Sequence, residues 1–233
     1  MTKERLKRIN QVLAQRQPDL TVIADGVHKP HNVAAIVRSC DAVGVMEVHL
    51  AKPRDSKMAN SFRTPHATSG GSQKWIRQHC YENVIEPIKA LQSRGFQVLA
   101  ANKSERASDF RQVSFIQPTA ILMGAELFGV DQEALELVDQ EVYIPMMGMV
   151  ESFNVSVACA ILLAEAQRQR LTAGHYDAPK LTTDERDQMC FEWMYPRLAK
   201  LYQKQKQPYP ALDQDGDIVQ GNAIAGTGST SVV

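Results

Sequence analysis

Apolar positions along the chain follow two alternating periods. Leu6, Ile9 and Leu13 recur at helical spacing with cations between them and stop before Pro18, which predicts an amphipathic amino-terminal helix. From Leu20 onward, short β-branched runs alternate with helical patterns. Strands are predicted at 20–24, 45–50, 96–101, 120–123 and 141–144, and helices at 32–43, 84–94, 131–138 and 155–170. That alternation argues for an α/β domain with a mostly parallel sheet flanked by helices. Residues 54–73, rich in Ser and Thr and carrying the Gly70-Gly71 pair, read as a long mobile connection. After Gly174 the pattern changes to a charged segment, one amphipathic helix at 189–202 ahead of Pro208 and Pro210, and a frayed tail beyond Gly221. The chain therefore divides into a basic amino-terminal helix (1–19), a central α/β domain (20–170) and a basic carboxyl-terminal extension (171–233).

Composition adds limits. The chain has 233 residues and 44% hydrophobic content, enough to bury a core without staples. No apolar run approaches the roughly 18–20 residues that span a bilayer, and the chain opens on a charged helix rather than a signal peptide, so a cytoplasmic protein is expected. Cys40, Cys80, Cys159 and Cys190 lie far apart and form neither a zinc pattern nor a disulfide framework; buried reduced thiols are expected. His28 and His31 flank Pro30, which does not favour presenting both to one metal, and no metal is expected.

Charge changes the picture more. The 26 Lys+Arg and 26 Asp+Glu cancel, which at first argues against a nucleic-acid partner. Read by position, the zero is uneven. Residues 1–16 carry Lys3, Arg5, Lys7, Arg8 and Arg16 against Glu4 alone, and residues 197–206 carry Arg197, Lys200, Lys204 and Lys206 with no acid. Residues 120–141 carry six acids and no base. Cationic ends around an acidic middle suit a polyanion held at the extensions, although solvated helix faces give the same pattern.

Three segments are harder to explain as scaffolding. There is no GxGxxG and no GxxxxGK[ST], so the usual nucleotide loops are absent, and Asp213–Asp217 lacks the Gly and Glu a calcium loop needs and suits a hairpin turn instead. His28–Val45 reads as a strand-to-helix turn with Asn32 as N-cap and Gly44 as stop, and Arg38 is its odd member among small apolar neighbours. Asn32 and Arg38 lie six apart, nearly two turns, so the Asn oxygen can orient the guanidinium. Ile121–Val130 ends a buried strand in Gly124, a site of close backbone approach, with Glu126 in the turn that follows. Val142–Ala158 runs from a strand into a Met- and Gly-rich loop, after which Ser152 or Asn154 caps a long helix. Each alone also fits an ordinary strand-loop-helix connection.

In this order and spacing the three segments resemble the SpoU branch of the SPOUT RNA methyltransferases over about residues 20–170. Likeness outside the general motifs, at Arg16–Val22, Val27–Val33 and Ala166–Arg170 and in the basic carboxyl-terminal extension, points to members that methylate the ribose of guanosine 18 in the tRNA D-loop. The resemblance implies an α/β fold with a carboxyl-terminal trefoil knot, S-adenosylmethionine bound in the knot, tRNA as partner and a homodimer with sites drawing on both chains. It implies Arg38 as catalytic arginine, binding RNA phosphate and stabilising developing alkoxide charge, with direct proton abstraction by Arg38 also open. Asn32, Glu126, Ser152 and Asn154 match the other motif positions. Ala101, Met123, Gly124, Ile144, Met149 and Phe153 are the expected cofactor contacts. RNA phosphates fall to Lys3, Arg5, Lys7, Arg8, Arg168, Arg170, Arg197, Lys200, Lys204 and Lys206. A ribosomal-RNA 2′-O-methyltransferase and a non-catalytic RNA-binding relative are the competing expectations.

Overall fold

A computed structural model describes residues 2–53, 74–125 and 128–219. The connection at 54–73, Glu126 and the tail from residue 220 therefore lie outside the described residues. The chain forms two compact units that do not follow the three-part division expected from sequence: residues 15–180 make one, and the two termini, 1–14 and 181–233, together make the other.

In the larger unit the strands are β1 (Leu20–Asp25), β2 (Glu47–Ala51), β3 (Arg77–Tyr81), β4 (Gln97–Ala101), β5 (Ser108–Asp109), β6 (Thr119–Met123) and β7 (Gln140–Tyr143). They form one sheet in the order β3-β2-β1-β6-β4-β7-β5, and every described pairing is parallel. Parallel strands need covering on both faces, and alternate side chains supply two cores. Leu20, Val22, Val48, Leu50, Leu99, Ile121 and Val142 face one way, toward α2 (Pro30–Ala42) and α5 (Val155–Thr172). Ile23, Ala51, Val98, Ala100, Ala120 and Leu122 face the other, toward α3 (Ile85–Ser93) and α4 (Gln132–Leu137). The α/β class and the parallel sheet match the expectation. The late strands β6 and β7 insert between strands laid down earlier, so the carboxyl ends of β4, β6 and β7 come side by side.

In the terminal unit, α1 (Lys3–Ala14) buries Leu6, Ile9 and Leu13 and packs against α6 (Thr183–Met194). The single helix expected at 189–202 is two, α6 and α7 (Pro196–Gln205), because Pro196 cannot donate into a continuing helix and instead opens the next one. Phe191, Tyr202 and Tyr209 form the small core there, with the Phe191 and Tyr209 rings stacked 4.8 Å apart. The Asp213–Gly216 turn and the Leu212–Ile218 bridge bear out the hairpin reading.

Candidate active site

Two helices bring the first and third motifs together. Helix α2 starts at Pro30, with Lys29 as N-cap, so Asn32 is not the cap expected from sequence but a buried first-turn residue, 2% exposed. Asn154 is the N-cap of α5: its Oδ1 accepts from the Ser156 backbone N–H at 2.9 Å and from the Ser156 hydroxyl at 2.6 Å. Its Nδ2 donates to Asn32 Oδ1 at 3.2 Å. The Asn32 oxygen thus joins the two motif helices. Helices α2 and α5 pack on each other, and Cys40 and Cys159, one from each, are fully buried in the same core. Cys190 is buried as well, but Cys80 on β3 is exposed, against the expectation of four buried thiols. Arg38, on the same helix as Cys40, projects to solvent.

A cavity of about 480 Å³ opens at the carboxyl ends of β4, β6 and β7. Ala101, Met123, Gly124, Ile144 and Phe153 line it, and so do Ser152 and Asn154. Met149 does not: its side chain is fully exposed, although Met146 and Glu151 of the same loop do line the cavity. Gly124 is required for a reason other than a ligand. A Cβ there would lie 2.2 Å from the Gly129 carbonyl carbon, since Ala125 and Gly129 exchange backbone hydrogen bonds at 3.0 and 2.8 Å and fold the loop back over it. Sequence reasoning missed Asn102, Lys103, Tyr143 and Met146 in the lining. Asn102 and Lys103 follow directly on the strand end that Ala101 marks, and that adjacency is the signal that would have found them.

The expected phosphate contacts divide. Lys7, Arg8, Arg197, Lys200, Lys204 and Lys206 are exposed. Lys3 is paired with Asp215 at 2.7 Å, the Arg5 guanidinium donates to the Trp193 carbonyl at 3.0 Å, and Arg168 is held by Glu165 at 2.7 Å. Arg170 is a correction. It is 0% exposed, and its guanidinium donates to Asp19, Gln17 and the carbonyls of Phe115, Asp19 and Gln117, so it is unavailable to RNA. Arg16, counted among the amino-terminal cations, is likewise fully buried, on Asp41 and the carbonyls of Val45 and Trp75. The acidic stretch is also not one solvated face. Asp131 is buried and caps α4, and Glu141 is 4% exposed.

Comparison with known proteins agrees with this arrangement. Residues 19–164 match the model of the SpoU rRNA Methylase family, and residues 168–221 match that of the SpoU rRNA methylase carboxyl-terminal region. The chain is 46% identical over 220 residues to the tRNA (guanosine(18)-2′-O)-methyltransferase of Escherichia coli K12, covering 94% of each. The crystal structure of the TrmH/SpoU tRNA modifying enzyme of A. aeolicus superposes with a TM-score of 0.75 at 40% identity, covering 83% of this chain and 96% of that one. The SpoU methyltransferase AviRb of Streptomyces viridochromogenes, solved with AdoMet, superposes at 0.54 with 26% identity over 68% of this chain and 59% of that one. A cavity at the carboxyl ends of parallel strands, bounded by the motif segments and matched along nearly the whole chain, leaves one assignment: the chain belongs to the SpoU methylase family.

Proposed function

We propose that the chain is a tRNA (guanosine-18-2′-O)-methyltransferase that uses S-adenosylmethionine. The observation that carries the proposal is the cavity at the ends of β4, β6 and β7, bounded by the Asn154 cap that ties α5 to the helix bearing Arg38. Its volume and its mixture of Met, Ile and Phe side chains with strand-end backbone groups suit a nucleoside with an attached thioether chain. Near-complete alignment with the E. coli enzyme supports tRNA over ribosomal RNA.

When bound, S-adenosylmethionine supplies an electrophilic methyl on a sulfonium. The chain must align the ribose 2′-oxygen with that carbon and manage the proton of a weakly acidic alcohol. Arg38 is the catalytic residue: a guanidinium stays charged at any working pH, so it holds the adjacent phosphate and stabilises negative charge on the 2′-oxygen. Asn32 and Asn154 are positioning residues that fix α2 against α5. Ser152 lines the cavity, and Glu126, outside the described residues, is proposed with the catalytic set from its motif position.

Lys7, Arg8, Arg197, Lys200, Lys204 and Lys206 supply phosphate contacts. The protein works as a homodimer in the cytoplasm, and the segment from β6 to α5 threads a trefoil knot. Support for the knot is the insertion of β6 and β7 between earlier strands. Support for the dimer is the run Met147, Met149, Val150, Phe153 and Val157, exposed at 94, 100, 65, 40 and 45%.

The test is transfer of labelled methyl from S-adenosylmethionine to unmodified tRNA, mapped by resistance of the modified linkage to alkali. Label at guanosine 18 is expected; label in ribosomal RNA and none in tRNA would overturn the proposal. Arg38→Ala should lower turnover at least about a hundredfold while S-adenosylmethionine affinity stays within about twofold. A matching loss of donor binding would remove Arg38 from the reacting centre.

A further inference from the structure

Glu141 on β7 is a buried acid, 4% exposed, and its partners all come from the loop that follows β4. Asn102 Nδ2 donates to its Oε2 at 2.7 Å and an Arg106 guanidinium nitrogen to its Oε1 at 2.6 Å. The Asn102 backbone N–H donates to the Val142 carbonyl at 3.0 Å, so residue 102 is pinned to β7 at two points. Burial pushes the Glu141 carboxyl up, but the polar groups around it, Asn102 and Arg106 among them, outweigh burial and hold the group below its ordinary value, hence ionised.

An ionised carboxylate only accepts. The amide of Asn102 must therefore turn its nitrogen to Glu141, which leaves its carbonyl oxygen and one N–H for elsewhere. Asn102 lines the cavity at the end of β4, and its carbonyl oxygen carries no hydrogen bond among the described residues. A polar group so oriented, at the end of β4 beside Ala101 and Met123, presents an acceptor and a donor side by side, the complement of a sugar diol or of the amino edge of a base.

Resting on the methyltransferase reading, we infer that Asn102 is a polar anchor for the adenosine part of the methyl donor and that Glu141, braced by Arg106, is its positioning residue. The three form a chain of contacts from the exposed Arg106 through the buried Glu141 to Asn102 in the cavity lining. Arg106 is 69% exposed and Glu141 is buried, so the ion pair is neutralised from outside while its far side sets the amide inside.

The experiment is calorimetric titration of the full chain with S-adenosylhomocysteine and with S-adenosylmethionine, alongside donor KM and kcat on tRNA and unfolding without ligand. Asn102→Ala should weaken both ligands about tenfold, with donor KM rising in step and kcat falling less than about threefold. Glu141→Gln should weaken them by a smaller factor, and that factor should vanish in the Asn102→Ala background, because Glu141 acts on the donor only through Asn102. Binding within about twofold of wild type for Asn102→Ala would overturn the anchor. An undiminished Glu141→Gln effect in the Asn102→Ala background would overturn the positioning role and make Glu141 a support of the fold. Wild-type protein that binds neither ligand would overturn the methyltransferase reading itself, an outcome distinct from the other two.

Discussion

Arg168 and Arg170 lie two residues apart on α5, on opposite sides of the helix and in opposite physical situations. The Arg170 guanidinium is fully enclosed, with Asp19 Oδ1 at 2.7 Å and three backbone carbonyls as further acceptors. Removing it leaves the Asp19 carboxylate with Lys180 at 2.7 Å and takes from the buried Phe115 carbonyl its guanidinium donor, while the Asp19 and Gln117 carbonyls keep Thr119. Breaking a buried pair in this way costs about 3–5 kcal/mol. Arg168 is 64% exposed and paired with Glu165 three residues away, a solvent-screened surface contact that contributes little to stability. Arg170→Ala should therefore lower the unfolding midpoint by several degrees or prevent folding, while Arg168→Ala should leave it nearly unchanged. Thermal denaturation of the two variants checks this, and equal midpoints would contradict the structural role given to Arg170.

At the scale of elements, the edge of the sheet holds the clearest pH dependence. His49 on β2 is 3% exposed; its Nδ1 meets the Tyr81 hydroxyl at 3.0 Å and its ring stacks on His79 at 5.2 Å. Burial, reinforced by His79 and Arg94 and only partly opposed by Glu47, pushes its pKa down to about 4. An unfolded chain protonates the same imidazole near 6.5. Between those values the unfolded state binds a proton that the folded state refuses, so stability falls as pH drops from about 6.5 to about 4, by on the order of 3 kcal/mol. His49→Leu should flatten that part of the stability profile, at a cost of about 1 kcal/mol near pH 7 for the unpaired Tyr81 hydroxyl. Denaturant melts across this pH range measure both. The strand opposite His49 shows why some elements escape a sequence reading: Arg77-Gln78-His79-Cys80-Tyr81 has no apolar alternation, because an edge strand needs little burial on either face. Helices α2 and α5 and the strands of the two cores were legible, since burial imposes their period. The Tyr195–Pro196 break was not, because the amphipathic pattern runs on across it. In the cavity lining, Asn154 was legible, because its place ahead of a long apolar helix marks a cap. Asn102 was not, since its importance lies in facing Glu141, a partner thirty-nine residues away that no local pattern announces.

At the scale of the molecule, the neutral total charge conceals a division between cations with internal partners and cations without. Arg16 and Arg170 belong to the interior of the larger unit, and Lys3 and Arg5 are engaged within the terminal unit. On α7, Arg197, Lys200 and Lys204 recur at i, i+3 and i+7, opposite the buried Ala199 and Tyr202, so they share one exposed stripe of that helix. Such a stripe follows a phosphate backbone without reading bases. If all three contact tRNA phosphates, the triple substitution to Ala should lower the magnitude of the slope of log affinity against log salt by about 2–3, as about 0.7–0.9 is lost per contact. Affinity should fall for all tRNAs alike, methyl-donor binding should be unchanged, and the unfolding midpoint should hold, because none of the three side chains is buried. Filter binding across a salt series gives the slope directly. An unaltered slope would move the RNA footprint off the α7 stripe, leaving Lys7, Arg8 and Lys206 as the proposed cations of the terminal unit to be tested in the same way.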